Sequence, residues 1–512
     1  MVYSPTCDAR SVILNRSESQ HLAVLLCHGL VNQRCTESRT LKKINRRDFV
    51  RRGLAGAAAL SVQGLGVGGL LQSSDALATD EDFKALVFLF LEGGNDSYNM
   101  LAPTSGALRT RYERGRGFIA LPSDDLHPVS LVEPARLFDE TTHNDFGFHP
   151  NCPQLAEMFN VGDLNIMCNA GNMITPVERS AYNAGTVALP PQLFSHADQQ
   201  RQLQSEPANP FRFGWGGRMA ELLVAYNTDP LVSPLITLSG LNAFQVSRDS
   251  LITPYGLSTD GALSLSAFDG LRQSMVESSM SAAETDSDLL GQKYARVFQS
   301  ARTAEVIVRS AFDEAEATGV DYDGIFQAAG GANTRTQRRL KTVAKMIAGR
   351  NSTTNTRPIF FVAMSGFDTH QNLLGEHAGL MTDLDASLKG FRDALIAQGD
   401  FDSVVTMVGS EFGRTFTPNG NNISAGSDHG WGGHIMFMGG PVNGGRLLGV
   451  HPDFQLGEGL DTGRGRWIPT TPGSICSAEL AQWMDIPDTK LLSIFPSLAN
   501  FSDVPLTAII AS

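Results

Sequence analysis

The chain is poor in cysteine and in charge, and it has no apolar run fit to span a bilayer. Six cysteines stand in 512 residues, and Cys7, Cys27 and Cys35 lie in the first 40. Cys152, Cys168 and Cys476 remain, odd in number and far apart, which argues against a disulfide framework or a metal knuckle. Charged residues make up 18% of the chain without a long run of either sign, so basic arms and acidic tails are missing. There is no Walker loop, dinucleotide-type glycine fingerprint, HExxH or CxxC, which removes support for nucleotide-dependent and zincin mechanisms. What remains is a globular composition, 42% hydrophobic, long enough for one large or two ordinary domains.

The first 78 residues read as a leader. Ile44-Asn45-Arg46-Arg47-Asp48-Phe49-Val50 is a twin-arginine pattern, followed by Arg51, Arg52 and a weakly apolar, Gly/Ala-rich run from Gly53 to Leu71. Asp75-Ala76-Leu77-Ala78 supplies a small-x-small cleavage signal, which puts the mature start near Thr79. Residues 1–40 precede that signal without periodicity and read as an over-long start. The expected partner in export is the twin-arginine translocase. The expected location is periplasmic or secreted, with no stable membrane span after cleavage. The leader carries ten Lys/Arg and five Asp/Glu, leaving 30 basic against 48 acidic residues, a net of −18. Nucleic acid is therefore not an expected partner. An anionic substrate would need a local cation or a few placed arginines.

Phe401–Gly445 organises the rest. Val404–Val408 and Ile435–Met438 are short and uncharged, as strands buried on both faces are. Between them Glu411, Arg414, Asp428, His429 and His434 stand among glycines and asparagines. Carboxylates just past buried strands occupy the place where open α/β sheets bind ligands. Oxygen and imidazole donors suit a divalent ion, while turn capping would use the same residue types.

Two other strand runs end in the same way. Ala85–Leu91 leads to Glu92-Gly93-Gly94-Asn95-Asp96-Ser97, where Asp96 is either a ligand or a turn residue. Pro358–Met364 leads to Gly366-Phe367-Asp368-Thr369-His370, and Asp and His two apart on an extended segment point the same way. Pro150–Asn169 reads as helix then strand, Leu235–Leu238 as a further strand, and about 263–350 as a helical insertion. Ser195, His196 and Asp198 are too close in sequence to form a triad. Ser195 is either a hydroxyl nucleophile beside a metal, with His196 as ligand or acid/base, or the N-cap of the following helix. The expected fold class is α/β, a mostly parallel central sheet flanked by helices, in a single domain over 79–512.

GGNDSYNMLAP, LPPQLFSHADQQ, GWGGRMAE, GFDTHQNLLGEH, SEFGRTFTPNG and GSDHGWGGHIMFMGG together resemble the bacterial family called domain of unknown function 1501, from about Leu86 to Phe501. That family is in turn similar to the alkaline phosphatase and sulfatase superfamily. The resemblance implies an alkaline-phosphatase-like fold with one or two divalent ions (zinc, manganese or calcium) at the strand ends. It implies Asp96, Asp368, His370, Glu411, Asp428 and His429 as metal ligands. Ser195, with Thr175 as the alternative nucleophile, His196 and Arg414 are the catalytic candidates, Arg414 holding the equatorial oxygens. The sulfatase motif Cys-x-Pro-Ser-Arg is absent, which argues against formylglycine chemistry. The expectation is an exported metal-dependent hydrolase of phosphate or sulfate esters, its substrate a small molecule or a glycan ester. The alternative is a non-catalytic periplasmic protein that keeps the fold and binds a glycan or a protein.

Overall fold

The structure, a computed structural model, describes residues 83–511 except 209–212, 228–231, 250–251, 260, 262–267, 286–287 and 502–507. The leader, the expected cleavage point and the first residues of the helical stretch lie outside these.

The expected α/β architecture is present. In chain order the main sheet contains β1 (Ala85–Glu92), β2 (Leu164–Gly171), β3 (Leu235–Thr237), β4 (Tyr255–Gly256), β5 (Ile359–Ser365), β6 (Val404–Gly409), β7 (Gly433–Met438), β8 (Leu447–Gly449) and β9 (Thr471–Pro472). Their spatial order is β8-β2-β7-β6-β1-β5-β3-β4, with β9 also on β2. All pairings are parallel except those of β7, which runs antiparallel to both β6 and β2. That reversal matters for function. The chain leaves the carboxyl end of β6, makes the long loop 410–432, and re-enters the sheet from the same end.

The uncharged strand runs have a simple cause, since both faces of the sheet are covered. Val87, Leu89 and Leu91 of β1 point into one core with Phe360, Val362 and Met364 of β5. Leu86, Phe88 and Phe90 point into the other with Ile359, Phe361, Val405 and Met407. The helices on these faces include α1 (Pro153–Asn160), α2 (His196–Gln204), α3 (Trp215–Leu222), α4 (Arg335–Ala348), α5 (Leu373–Gln398) and α6 (Gly473–Trp483). Leu155 and Phe159 of α1, Leu340, Val343 and Ile347 of α4, and Met381, Leu384, Leu388 and Phe391 of α5 pack in the first core. Trp215 and Met219 of α3 and Leu480 of α6 pack in the second. The stretch read as helical contains Gly270–Glu284, Leu289–Ala317 and Tyr322–Ala328 before α4. Cys152, Cys168 and Cys476 are free and buried. No described helix is long and apolar enough to cross a membrane.

His377 of α5 lies wholly inside, with Nε2 3.0 Å from Asn95 Oδ1, and its ring stands 5.4 Å from that of His149. Burial pushes both imidazoles down to about 3. In the fold they are neutral, whereas in the unfolded chain they take up protons below about 6.5. Their cost is thus absent above that pH and grows as pH falls toward the folded value. By pH 5 each would lower stability on the order of 2 kcal/mol. Urea midpoints measured at pH 7.5 and pH 5 should fall accordingly, and the drop should be smaller in His377→Gln. An equal drop in the variant would remove His377 as a cause.

Candidate functional site

Four segments meet past the carboxyl ends of β1, β5 and β6. After β1 the chain turns at Gly93, whose N–H donates to Glu411 Oε1 (3.0 Å) and whose carbonyl accepts from Arg414 Nη1 (3.1 Å). Only glycine serves there. Its φ is +121°, and a Cβ would sit 2.4 Å from the backbone nitrogen of Asp368.

After β5, Asp368 and His370 are brought together by two successive tight turns, Thr369 N to Phe367 O (2.9 Å) and His370 N to Asp368 O (3.0 Å). Strand alternation, the mechanism inferred from their spacing, is not what aligns them. After β6 the loop folds back on itself through Gly413 N to Trp431 O (3.1 Å), Thr415 N to Asp428 O (2.8 Å) and Gly430 N to Gly413 O (2.7 Å). This ladder sets His429 opposite Arg414. The fourth segment is the start of α2, which brings His196.

The result is a convergence of imidazoles on one carboxylate. His196 Nε2 lies 2.9 Å from His429 Nε2, and these stand 3.4 and 3.2 Å from Asp368 Oδ1. His370 Nε2 adjoins the triangle, 3.0 Å from both His429 Nε2 and Asp368 Oδ1. Donor atoms of a tetrahedral ion with bonds of about 2.0–2.1 Å stand roughly 3.3 Å apart. His196, Asp368 and His429 form the group whose donor atoms all lie within 4.8 Å of one another, and His370 flanks it.

The far side of each ring explains the chemistry. His196 Nδ1 faces Glu411 Oε1 (2.8 Å), His370 Nδ1 faces Asp428 Oδ1 (3.0 Å), and His429 Nδ1 faces the Phe194 carbonyl (2.8 Å). Each partner is an acceptor, so the network assigns the proton to Nδ1 in all three rings. The Nε2 lone pairs of His196 and His370 then each face that of His429, and all three stand beside a carboxylate oxygen. Such a convergence requires positive charge at its centre, either a proton or a cation.

The ionisation of the groups follows the same layout. The hydrogen bond to Glu411 raises the His196 pKa, overriding burial, with the charges of Glu411 and Asp368 helping. Burial lowers that of His429, with the neighbouring His196 and Arg414 charges adding to it. Burial would raise the Asp368 carboxyl, but the hydrogen bond and charge of Arg414 outweigh it and hold it below its usual value. At Asp428 burial is likewise outweighed, here by hydrogen bonds from Arg464, Asn419 and His370.

The residues read from the sequence as ligands take different stations. Asp368, His370 and His429 meet at the convergence, and His196, read as ligand or acid/base, meets them there. Asp368 is 46% exposed, whereas Glu411 is wholly buried behind His196, where Gln200 Nε2 also donates to it (3.2 Å). Asp428 stands behind His370. Arg414 is wholly buried and donates to Asp368 Oδ1 at 2.7 Å. Ser195 begins α2 in the N-cap position, but its hydroxyl makes no cap; it donates to Asp198 Oδ2 at 2.6 Å. Asp96 lies elsewhere, buried and paired with Arg116. His434 lies in the core, with its Nδ1 accepting from Asn169 N (3.2 Å).

The sequence reading missed the Phe194 carbonyl. Its aim depends on a left-handed backbone at Phe194 (φ 73°), a conformation bulky residues avoid and no residue pattern announces.

The profile of the family described as "Protein of unknown function (DUF1501)" matches residues 83–458, which takes in His196, Asp368, His370, Glu411, Arg414, Asp428 and His429, and the chain belongs to that family. No curated protein matches it.

Asp96→Ala leaves Arg116 buried without its partner, which should cost about 3–5 kcal/mol. A chemical denaturation curve should register that loss, while a zinc titration of the folded variant should match the parent's. Loss of zinc binding with unchanged stability would instead put Asp96 at the site.

Proposed function

We propose that this member of the DUF1501 family is an exported, metal-dependent hydrolase of phosphate or sulfate esters, with His196, His429 and Asp368 holding a divalent ion and His370 beside them. The observation that carries the reading is the convergence itself: the Nε2 atoms of His196 and His429 and Asp368 Oδ1 stand within 3.4 Å of one another, with His370 Nε2 flanking them and every Nδ1 engaged by an acceptor. Such partners behind metal-bound imidazoles fix tautomer and orientation and raise basicity. An imidazole-rich donor set favours zinc, with manganese the next candidate, over calcium, which prefers oxygen alone. The ion would supply Lewis acidity at the ester oxygen.

The rest is done by side chains of this protein. Glu411, Asp428 and the Phe194 carbonyl hold the three rings. Arg414 orients Asp368 and keeps it ionised. Ser195, next to the ligand His196, offers a hydroxyl whose proton already points to Asp198, so this carboxylate is placed to accept it; water is the other nucleophile. The mostly parallel sheet with donors at its strand ends supports an alkaline-phosphatase-like fold, with residues 263–350 as a helical insertion. A twin-arginine leader removed near Thr79 would deliver the folded, loaded protein to the periplasm or outside the cell.

Metal analysis of protein purified without chelator tests the reading. One or two equivalents of a divalent ion are expected, and His196→Ala/His429→Ala should abolish them. Glu411→Gln should weaken affinity about 10- to 100-fold without removing a ligand. An ion-free, well-folded parent that also refuses added zinc would overturn it. A bound ion without turnover on phosphate or sulfate monoesters would leave the binding-protein reading, with a glycan or a protein as partner.

A further inference from the structure

We propose that Arg466, not Arg414, holds the oxyanion of the substrate beside the imidazole cluster, an inference that rests on the hydrolase reading above and gives it a specificity residue. Three arginines border the cluster, and the hydrogen bonds they already make separate them. Arg414 is wholly buried, with Nε on Ser427 Oγ (3.2 Å), Nη1 on Gly93 O and Asp368 Oδ1, and Nη2 on Ser427 O. Arg464 gives Nη1 to Asp428 Oδ2 and Nη2 to the carbonyls of Thr417 and Pro418. Arg414 thus commits four of its five N–H groups inside the core, and Arg464 has its charge paired with Asp428.

Arg466 is half-buried and uses only Nε, which donates to the backbone carbonyl of His429 at 2.8 Å. Its terminal nitrogens make no hydrogen bond among the described residues.

The guanidinium is nonetheless held in place. It lies 4.9 Å over the Phe194 ring, and Phe194 is the residue whose carbonyl fixes His429 Nδ1. Arg466 is therefore fastened to both partners of a bond that aims a cluster nitrogen. Its loop is braced from within, since buried Asp461 accepts from the backbone N–H of Gly457, Gly463 and Gly465. A planar fork fixed by a backbone bond and an aromatic face, with two nitrogens free, suits a tetrahedral oxyanion. In a chain this acidic, an uncommitted guanidinium at the cluster is where an anion would be drawn.

Isothermal titration of the zinc-loaded mature protein with inorganic phosphate and with sulfate tests the assignment, with metal content measured on every sample. Arg466→Gln should keep its ions and bind phosphate about tenfold or more weakly. Arg466→Lys, which keeps the charge without the fork, should fall between. Arg114→Gln, the same charge change at an exposed site, should match the parent. Equal phosphate affinity in Arg466→Gln, an equal loss in Arg114→Gln, or an ion-loaded parent that binds neither anion would overturn it. If Arg466→Gln fails to fold, parent-like affinity in Arg466→Lys would do so. Phosphate binding by an ion-free parent that still falls in the Arg466 variants would sustain this inference while removing the metal reading.

Discussion

Lone-pair repulsion at the convergence of His196, His370, His429 and Asp368 is the constraint on which the functional end of the molecule turns. Without a proton or a cation between them, ring nitrogens 2.9–3.0 Å apart, beside a carboxylate oxygen, are not held there by attraction to one another. They are held by what lies behind them: Glu411, Asp428, the Phe194 carbonyl and Arg414. The supporting groups are fixed in turn by Gly93, by the ladder within the 411–431 loop and by Arg464. Much of the loop chemistry therefore serves to keep four acceptor atoms closer together than they would choose to be.

The sheet makes that possible. β7 enters antiparallel, so the loop after β6 must return to the end of the sheet from which it left. Both ends of the loop are anchored in a twice-covered sheet, and the loop between them is cross-braced by main-chain hydrogen bonds. A loop tied in this way can hold His429 against a neighbouring turn at Asp368 without helix or strand geometry to position it. The imidazole from α2 completes the set from a different layer. The site is accordingly a property of the assembled fold and of no one segment.

Division of labour among charged residues follows from burial. Asp368, partly open to water, has its oxygen at the convergence, whereas Glu411, wholly buried and saturated by Gly93, Gln200 and His196, acts through His196. Arg414 has all three of its nitrogens engaged, whereas the terminal nitrogens of Arg466 make no hydrogen bond among the described residues. Asp96 shows the limit of reasoning by position. It follows β1 where a ligand was expected, yet Arg116 draws it into the core instead. A carboxylate at a strand end goes to the nearest unpaired cation, and which cation is nearest depends on how the helices pack.

The strands were legible because burial on both faces leaves an uninterrupted apolar run, a local signature that survives in one dimension. Asp368, His370, His429 and their neighbours were legible because donors at strand ends recur three times in the same setting. Tertiary structure decided which donors face the centre and which stand behind, because that depends on ring orientation. Ring orientation is set by partners such as Glu411 and Phe194, 215 and 235 residues away from the histidines they hold. It also decided that Arg466 keeps free donors. Periodicity records which way a residue faces within its own element, but the count of hydrogen bonds already made by a side chain exists only after distant segments have met.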